Sequence, residues 1–154
     1  MKRLLPFVVF TWLSIGSTEA IAFVFSNGVT GECTADGRAV QEIEAAPDSA
    51  LVQRGDVAIT KPAGSGYEIQ WNARKLAALP PAMHDLIFFH ECAHAQIPTN
   101  DELRANCVGL RMMRVAGKGG FAVESKLAAF YGPGSDYWAR TLKCADAEAA
   151  RSPR

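Results

Sequence analysis

The apolar positions of the chain fall into readable periods from residue 56 onward. DVAITK (56–61) and YEIQWN (67–72) are strand-like runs; in the second, Tyr67, Ile69 and Trp71 alternate with Glu68, Gln70 and Asn72, which gives one apolar face and one polar face. Pro62-Ala63-Gly64-Ser65-Gly66 between them predicts a hairpin with a five-residue loop. Asn72 is placed to cap a short helix ending at Leu79. Pro80-Pro81 breaks that helix and opens another, predicted over residues 81–96, because proline is tolerated in a first helical turn. Leu86, Ile87, Phe88 and Phe89 leave this helix little polar face, so it should be buried. After Ile97-Pro98, Thr99 or Asn100 caps a third helix reaching about residue 116, with Asp101 and Glu102 in its first turn, where the helix dipole favours acids. Gly117, Gly119 and Gly120 stop it, and a fourth helix covers residues 121–131. Gly132-Pro133-Gly134 breaks that one, and a last helix starts near Ser135, its tail fraying after Ala147. Residues 23–47 show no clear period, only turn signals at Asn27-Gly28 and Asp36-Gly37. A small antiparallel sheet followed by helices that pack on it is the order of an α+β domain.

The N-terminal segment changes the compartment in which this domain is read. Lys2 and Arg3 precede an apolar run over residues 4–16, and small residues follow, with Thr18-Glu19-Ala20 and Ala20-Ile21-Ala22 both suited to cleavage. The pattern is that of a secretory signal peptide over residues 1–22, too short in its apolar part to span a bilayer comfortably. Residues 23–150 then form the one domain, and the mature chain is exported, to a periplasm or outside the cell. Basic and acidic residues number 16 each, which implies no basic face and argues against nucleic acid as a partner. In an oxidising compartment Cys33, Cys92, Cys107 and Cys144 point to disulfides, and no C-x-x-C pair suggests a cysteine metal site.

The chemistry concentrates in FFHECAHAQIPTNDELRANC, residues 88–107. His90-Glu91-Cys92-Ala93-His94 fits H-E-x-x-H on a predicted helix. Residues four apart lie within about 40° of each other around a helix, so both imidazoles can reach one metal ion. Glu91 sits beside them, placed to take a proton from water acidified by zinc. A core helix with satisfied histidines is the bland alternative, but two imidazoles and a carboxylate in an apolar helix each need a partner. The short turn at residues 97–100 folds the next helix back, bringing Glu102 to the site as third ligand, with Asp101 as its competitor. Cys92 lies between about 160° and 200° around the helix from the histidines and so points away from the metal. A Cys92–Cys107 bond would staple the two ligand-bearing helices and leave Cys33 to pair with Cys144; free buried thiols are the alternative. His84 is read as exposed and outside the site. Tyr131, Tyr137 and Arg140 flank the Gly-Pro-Gly loop and are candidate donors to an oxyanion, with packing the simpler role for Tyr131 and Trp138.

His90-Glu91-x-x-His94 followed by ELRANCVG (102–109) resembles the gluzincin metallopeptidases. It is most similar to small exported bacterial members and to the neutral zinc metallopeptidases whose second motif reads E-L-x-A-D-C, and the resemblance covers roughly residues 67–110. It implies a zincin-like core, Zn²⁺ held by His90, His94 and Glu102, Glu91 as general base, and hydrolysis of peptide or protein substrate. It also implies that a strand such as 67–72 pairs with extended substrate. Asn106 stands where the family has Asp, one turn beyond Glu102, and so bears on the tuning of the metal through a ligand histidine. Hydrolysis of cell-wall amide bonds, or a zinc-stabilised exported binding protein without catalysis, are the competing functions.

Overall fold

The computed structural model describes residues 21–151; the stretch read as a signal peptide lies outside the described residues as far as residue 20. Four two-residue strands come first, as two antiparallel ladders: β1 (Phe23–Val24) with β2 (Thr30–Gly31), and β3 (Thr34–Ala35) with β4 (Arg38–Ala39). Both close at the turns the sequence signalled. Asp36 and Gly37 have φ of 51° and 72°, two successive positive values of the kind a tight two-residue hairpin turn requires. Then come β5 (Gln41–Glu44), α1 (Ala50–Arg54), β6 (Ala58–Ala63), β7 (Gly66–Trp71) and α2 (Ala73–Ala77). Four longer helices follow: α3 (Pro81–Gln96), α4 (Glu102–Val115), α5 (Phe121–Tyr131) and α6 (Asp136–Arg151). The class is α+β, as the order of periods indicates.

The structure differs from the sequence reading at several places. The hairpin loop is two residues, Gly64-Ser65, not five; Gly64 takes a positive φ of 55°, and pairing continues through Pro62 and Ala63. The three-stranded sheet has the order β5-β7-β6 and is mixed, since β5 joins β7 in parallel, Gln41 opposite Glu68 and Glu44 opposite Trp71. Helix α1, capped by Ser49, arises in a stretch without clear period. Asp101, not Thr99 or Asn100, caps α4 and accepts from Arg104 N–H; Thr99 instead accepts from Asp101 N–H. Helix α6 continues to Arg151 rather than fraying after Ala147.

Helix α3 is the axis of the fold. On one side its Leu86, Phe88 and Phe89 meet Ile69 and Trp71 of β7 together with Phe23 and Phe25, in a cluster whose ring centroids lie 4.7–5.4 Å apart. Such spacings are those of favourable tilted and edge-to-face aromatic pairs. On the other side α4 packs against it so closely that a Cβ on Gly109 would lie 2.8 Å from the backbone N of His90. Only glycine permits that approach.

This crossing also explains the disulfides, which the sequence reading paired wrongly. Cys33 bonds Cys92, and Cys107 bonds Cys144. Gly109 and the histidines face the α3–α4 contact. Cys107 lies about 200° around α4 from Gly109, and Cys92 is turned away on α3 by the same periodicity. Neither sulfur faces the other helix. Cys92 therefore meets the β2–β3 segment, and Cys107 meets α6. His84 is half-buried rather than exposed: its ring lies 4.8 Å from that of Phe23, and Nδ1 is 3.1 Å from Asp85 Oδ1.

A buried acid of the sheet lies away from α4. Glu42 of β5 is buried, accepts from Trp71 Nε1 at 3.0 Å, and takes backbone N–H bonds from Phe23 and Cys33. Burial raises its pKa to about 7 despite those donors, with Glu32 adding to the rise. Because the folded value exceeds the unfolded one, its contribution to stability is complete below about 4.3 and is lost as pH rises toward 7. The difference in urea stability between wild type and Glu42→Gln, measured across this range, should therefore move in favour of the variant as pH rises and level off above neutrality. A difference that is flat with pH would refute the assignment.

Candidate metal centre

The α3–α4 crossing sets one acidic and two imidazole side chains at a common point. His90 and His94 project from successive turns of α3, and Glu102 opens α4 immediately after its Asp101 cap. His90 Nε2 is 3.1 Å from His94 Nε2 and 3.0 Å from Glu102 Oε2, and His94 Nε2 is 3.6 Å from the same oxygen. Four ligands about 2.0–2.1 Å from a tetrahedral zinc stand about 3.3 Å from one another, so the observed spacings bracket what such an ion requires. His90, His94 and Glu102 form a group able to hold a metal ion.

The second nitrogen of each ring supports the same reading. His94 Nδ1 lies 2.7 Å from the carbonyl oxygen of Thr99, which only accepts, so Nδ1 carries the proton and Nε2 presents its lone pair to the cluster. His90 Nδ1 lies 3.3 Å from Asn106 Oδ1. Asp101, the competing ligand in the sequence reading, is not among the converging residues; its Oδ1 accepts from Arg104 N–H and caps α4.

Glu91 lies beside this group and is 5% exposed. Its Oε2 is 2.7 Å from Thr60 Oγ1 on β6, which also stands 2.9 Å from the Glu91 backbone carbonyl. The Thr60 hydroxyl has one proton for these two acceptors of Glu91, and the carboxylate oxygen is the nearer. Burial pushes the Glu91 carboxyl above the usual carboxylate range, against the pull of His90, Thr60 and His94. Burial opposes charge on His90, but the hydrogen bond to Glu102 and the charges of Glu91 and Glu102 outweigh it and raise its pKa. The same bond to His90 lowers the pKa of Glu102, whose side chain is largely exposed.

The group opens onto a groove of about 900 Å³. Strand β6 forms one wall, with Ile59, Thr60 and Pro62; Tyr67, Ile87 and the Pro98-Thr99-Asn100 turn complete it. Strand β7, expected to meet substrate, is interior to the sheet and paired on both sides. The strand with an edge on the groove is β6. Asn72 N–H bonds the carbonyl of Val57, so odd-numbered positions of the strand face β7. Ala58, Thr60 and Pro62 therefore turn their backbone polar groups away from it, which is where a proline without an N–H is tolerated.

None of the candidate oxyanion donors lines the groove. Tyr131 Oη accepts from Asn106 Nδ2 at 3.3 Å, Tyr137 Oη donates to the Glu102 backbone carbonyl at 3.0 Å, and Arg140 lies 3.7 Å from Asp136 on the surface of α6. Burial raises the pKa of both tyrosines, that of Tyr137 to about 12, with Tyr131 and Glu102 adding to the latter. They act as supports behind the cluster. Thr60, the Thr99 carbonyl and Thr141 have no spacing in the sequence that marks them; only the tertiary fold brings them to the site.

Comparison with protein-family models, curated proteins and solved structures yields no match to this chain. Among the described residues no helix is long and apolar enough to cross a membrane, and both disulfides are of the kind that persists in oxidising compartments.

Two outcomes test this geometry. Metal titration followed by elemental analysis should give about one ion per chain for wild type and none retained after dialysis for His94→Ala, since one imidazole and one carboxylate are too few for tight binding. Retention of the ion by the variant would remove His94 from the site. Gly109→Ala places a methyl against the His90 backbone and should lower both the thermal midpoint and metal affinity, with a stability loss of about 1–3 kcal/mol by denaturant unfolding. Unchanged values would mean the helices do not meet there.

Proposed function

We propose that this chain is an exported zinc-dependent hydrolase of peptide bonds, with a gluzincin-like arrangement of His90, His94 and Glu102 as ligands and Glu91 as general base. The observation that carries the reading is the position of Glu91. It stands beside the ligand group, held by Thr60, on the wall of an open groove, and it is not among the converging ligands. A site that only stabilised the fold would need no such carboxyl. Three protein ligands leave a coordination position open, the mark of catalytic rather than structural zinc.

When bound, zinc supplies Lewis acidity toward a carbonyl and acidifies water near neutral pH. The chain's own part is to bind, orient and move protons. The outward edge of β6 offers the backbone of Ala58 and Thr60 to an extended peptide, which would add as a further strand. This replaces the expectation that residues 67–72 meet the substrate. Glu91 takes a proton from the attacking water and returns it to the leaving amine, with Thr60 holding the carboxyl in place through both transfers. The apolar side chains of Ile59, Pro62 and Ile87 line the groove and exclude solvent from a bound chain.

Two glutamates with different roles separate enzyme from binding module. Glu91→Gln should retain zinc and the fold while its turnover on any peptide cut by wild type falls about 10²–10⁴-fold. Glu102→Gln should lose affinity for zinc itself, since an amide is a far poorer ligand than a carboxylate. Zinc content measured beside turnover for both variants checks the assignment. Loss of zinc from Glu91→Gln with retention in an active Glu102→Gln would reverse the roles. A fully loaded wild type that cuts nothing in a broad peptide library would favour a binding protein.

A further inference from the structure

Helix α6 contributes no metal ligand, yet a buried chain of hydrogen bonds runs from it to His90. Thr141 is fully buried, and its Oγ1 lies 3.0 Å from the carbonyl of Tyr137 and 3.1 Å from Asn106 Nδ2. Asn106, 2% exposed, places Nδ2 also 3.3 Å from Tyr131 Oη and Oδ1 3.3 Å from His90 Nδ1. The proton directions follow from the first of these contacts. A carbonyl only accepts, so the single hydroxyl proton of Thr141 points at Tyr137, and its oxygen must accept from Asn106. Asn106 is thereby obliged to turn its NH₂ toward α6 and its oxygen toward His90. An asparagine, unlike an aspartate, has a wrong orientation available: with the amide reversed, an N–H would face His90 and demand a lone pair at Nδ1, moving the ring proton to Nε2.

We infer that Thr141 is a positioning residue of the metal centre, which fixes the Asn106 amide so that its Oδ1 holds the proton on His90 Nδ1 and leaves Nε2 as the nitrogen that would meet the metal. The inference rests on reading His90, His94 and Glu102 as metal ligands. It accounts for a neutral Asn at this position: Thr141 and Tyr131 supply the orientation that an aspartate would have without help. The Cys107–Cys144 bond, one residue from Asn106 on α4 and three from Thr141 on α6, holds the two helices in the register this chain requires.

Zinc affinity by competition with a chromogenic chelator tests the inference in four variants. Thr141→Val keeps the shape and removes the hydroxyl; affinity should fall about 10–100-fold, the usual effect of losing an outer partner of a metal-bound histidine. Thr141→Ser should restore it to within about threefold of wild type. Combined with Asn106→Asp, whose carboxylate has no amide to misorient, Thr141→Val should change affinity by less than about threefold relative to Asn106→Asp alone. Equal losses in both backgrounds would mean that Thr141 merely packs, and would overturn the inference. A second readout needs no metal: nitrogen-15 NMR of the imidazoles in metal-free protein should find a proton held on His90 Nδ1 in wild type and Thr141→Ser, beside the Nε2 proton that Glu102 accepts when no metal is bound. In Thr141→Val that Nδ1 proton should be weakly held or lost. A wild-type His90 without a proton on Nδ1 overturns the inference even where zinc binds. A wild type with that proton in place that takes up no zinc supports the positioning role of Thr141 and sinks the metal reading instead.

Discussion

Helices α3 and α4 meet backbone to backbone, and the point of contact is Gly109 against His90, where an added Cβ would stand 2.8–2.9 Å from main-chain atoms of Phe89 and His90. Much of the site depends on that closeness. Glu102 lies seven residues before Gly109, two helical turns along one face, and Asn106 lies between them, so a crossing pinned at Gly109 brings both side chains against His90. A larger residue would force the helices apart, and the short Glu102 side chain would no longer reach both imidazole nitrogens.

The same crossing decides which other elements take part. With α4 on one side of α3, the sheet takes the other, and β6 passes over Glu91 near enough for Thr60 to hold its carboxyl. Helix α6 packs on the far side of α4 and sends Tyr137 and Thr141 to the backs of Glu102 and Asn106. The centre therefore draws on six segments, β6, α3, the 97–100 turn, α4, α5 and α6, although its metal ligands come from two. The pKa directions follow the same convergence: raised at His90, lowered at Glu102 and raised at Glu91.

What was legible in the sequence was local. Helical period and proline position placed α3 to the residue, the alternation in YEIQWN placed β7, and H-E-x-x-H on a helix put His90 and His94 together without reference to the rest of the chain. Glu102 was reachable because only a short turn separates it from His94. The errors came where one local fact had to be combined with a packing direction. Cys92 was correctly turned away from the histidines, yet α4 packs on the histidine side, so the same rotation carries its sulfur away from Cys107. Strand β5 carried no period long enough to read, and its parallel pairing made β7 interior and handed the groove edge to β6. Thr60 and Thr141 are single hydroxyl residues whose roles arise from contacts spanning 31 and 35 positions, a distance over which no spacing rule operates.

The order of the two disulfides has a bearing on how the chain acquires its structure. Cys33 joins Cys92 and Cys107 joins Cys144, so each cysteine is bonded to its neighbour in sequence and the two covalent loops neither overlap nor nest. A chain threaded N-terminus first into an oxidising space would close the first loop before its third cysteine emerged. Oxidation in order of appearance thus yields the native pairing directly, without a reshuffling step. The first closure already joins α3 to the hairpins that cover it, while the second waits for α6, the element that completes the support behind His90. Assembly would then run in the direction of synthesis, with the metal centre finished last.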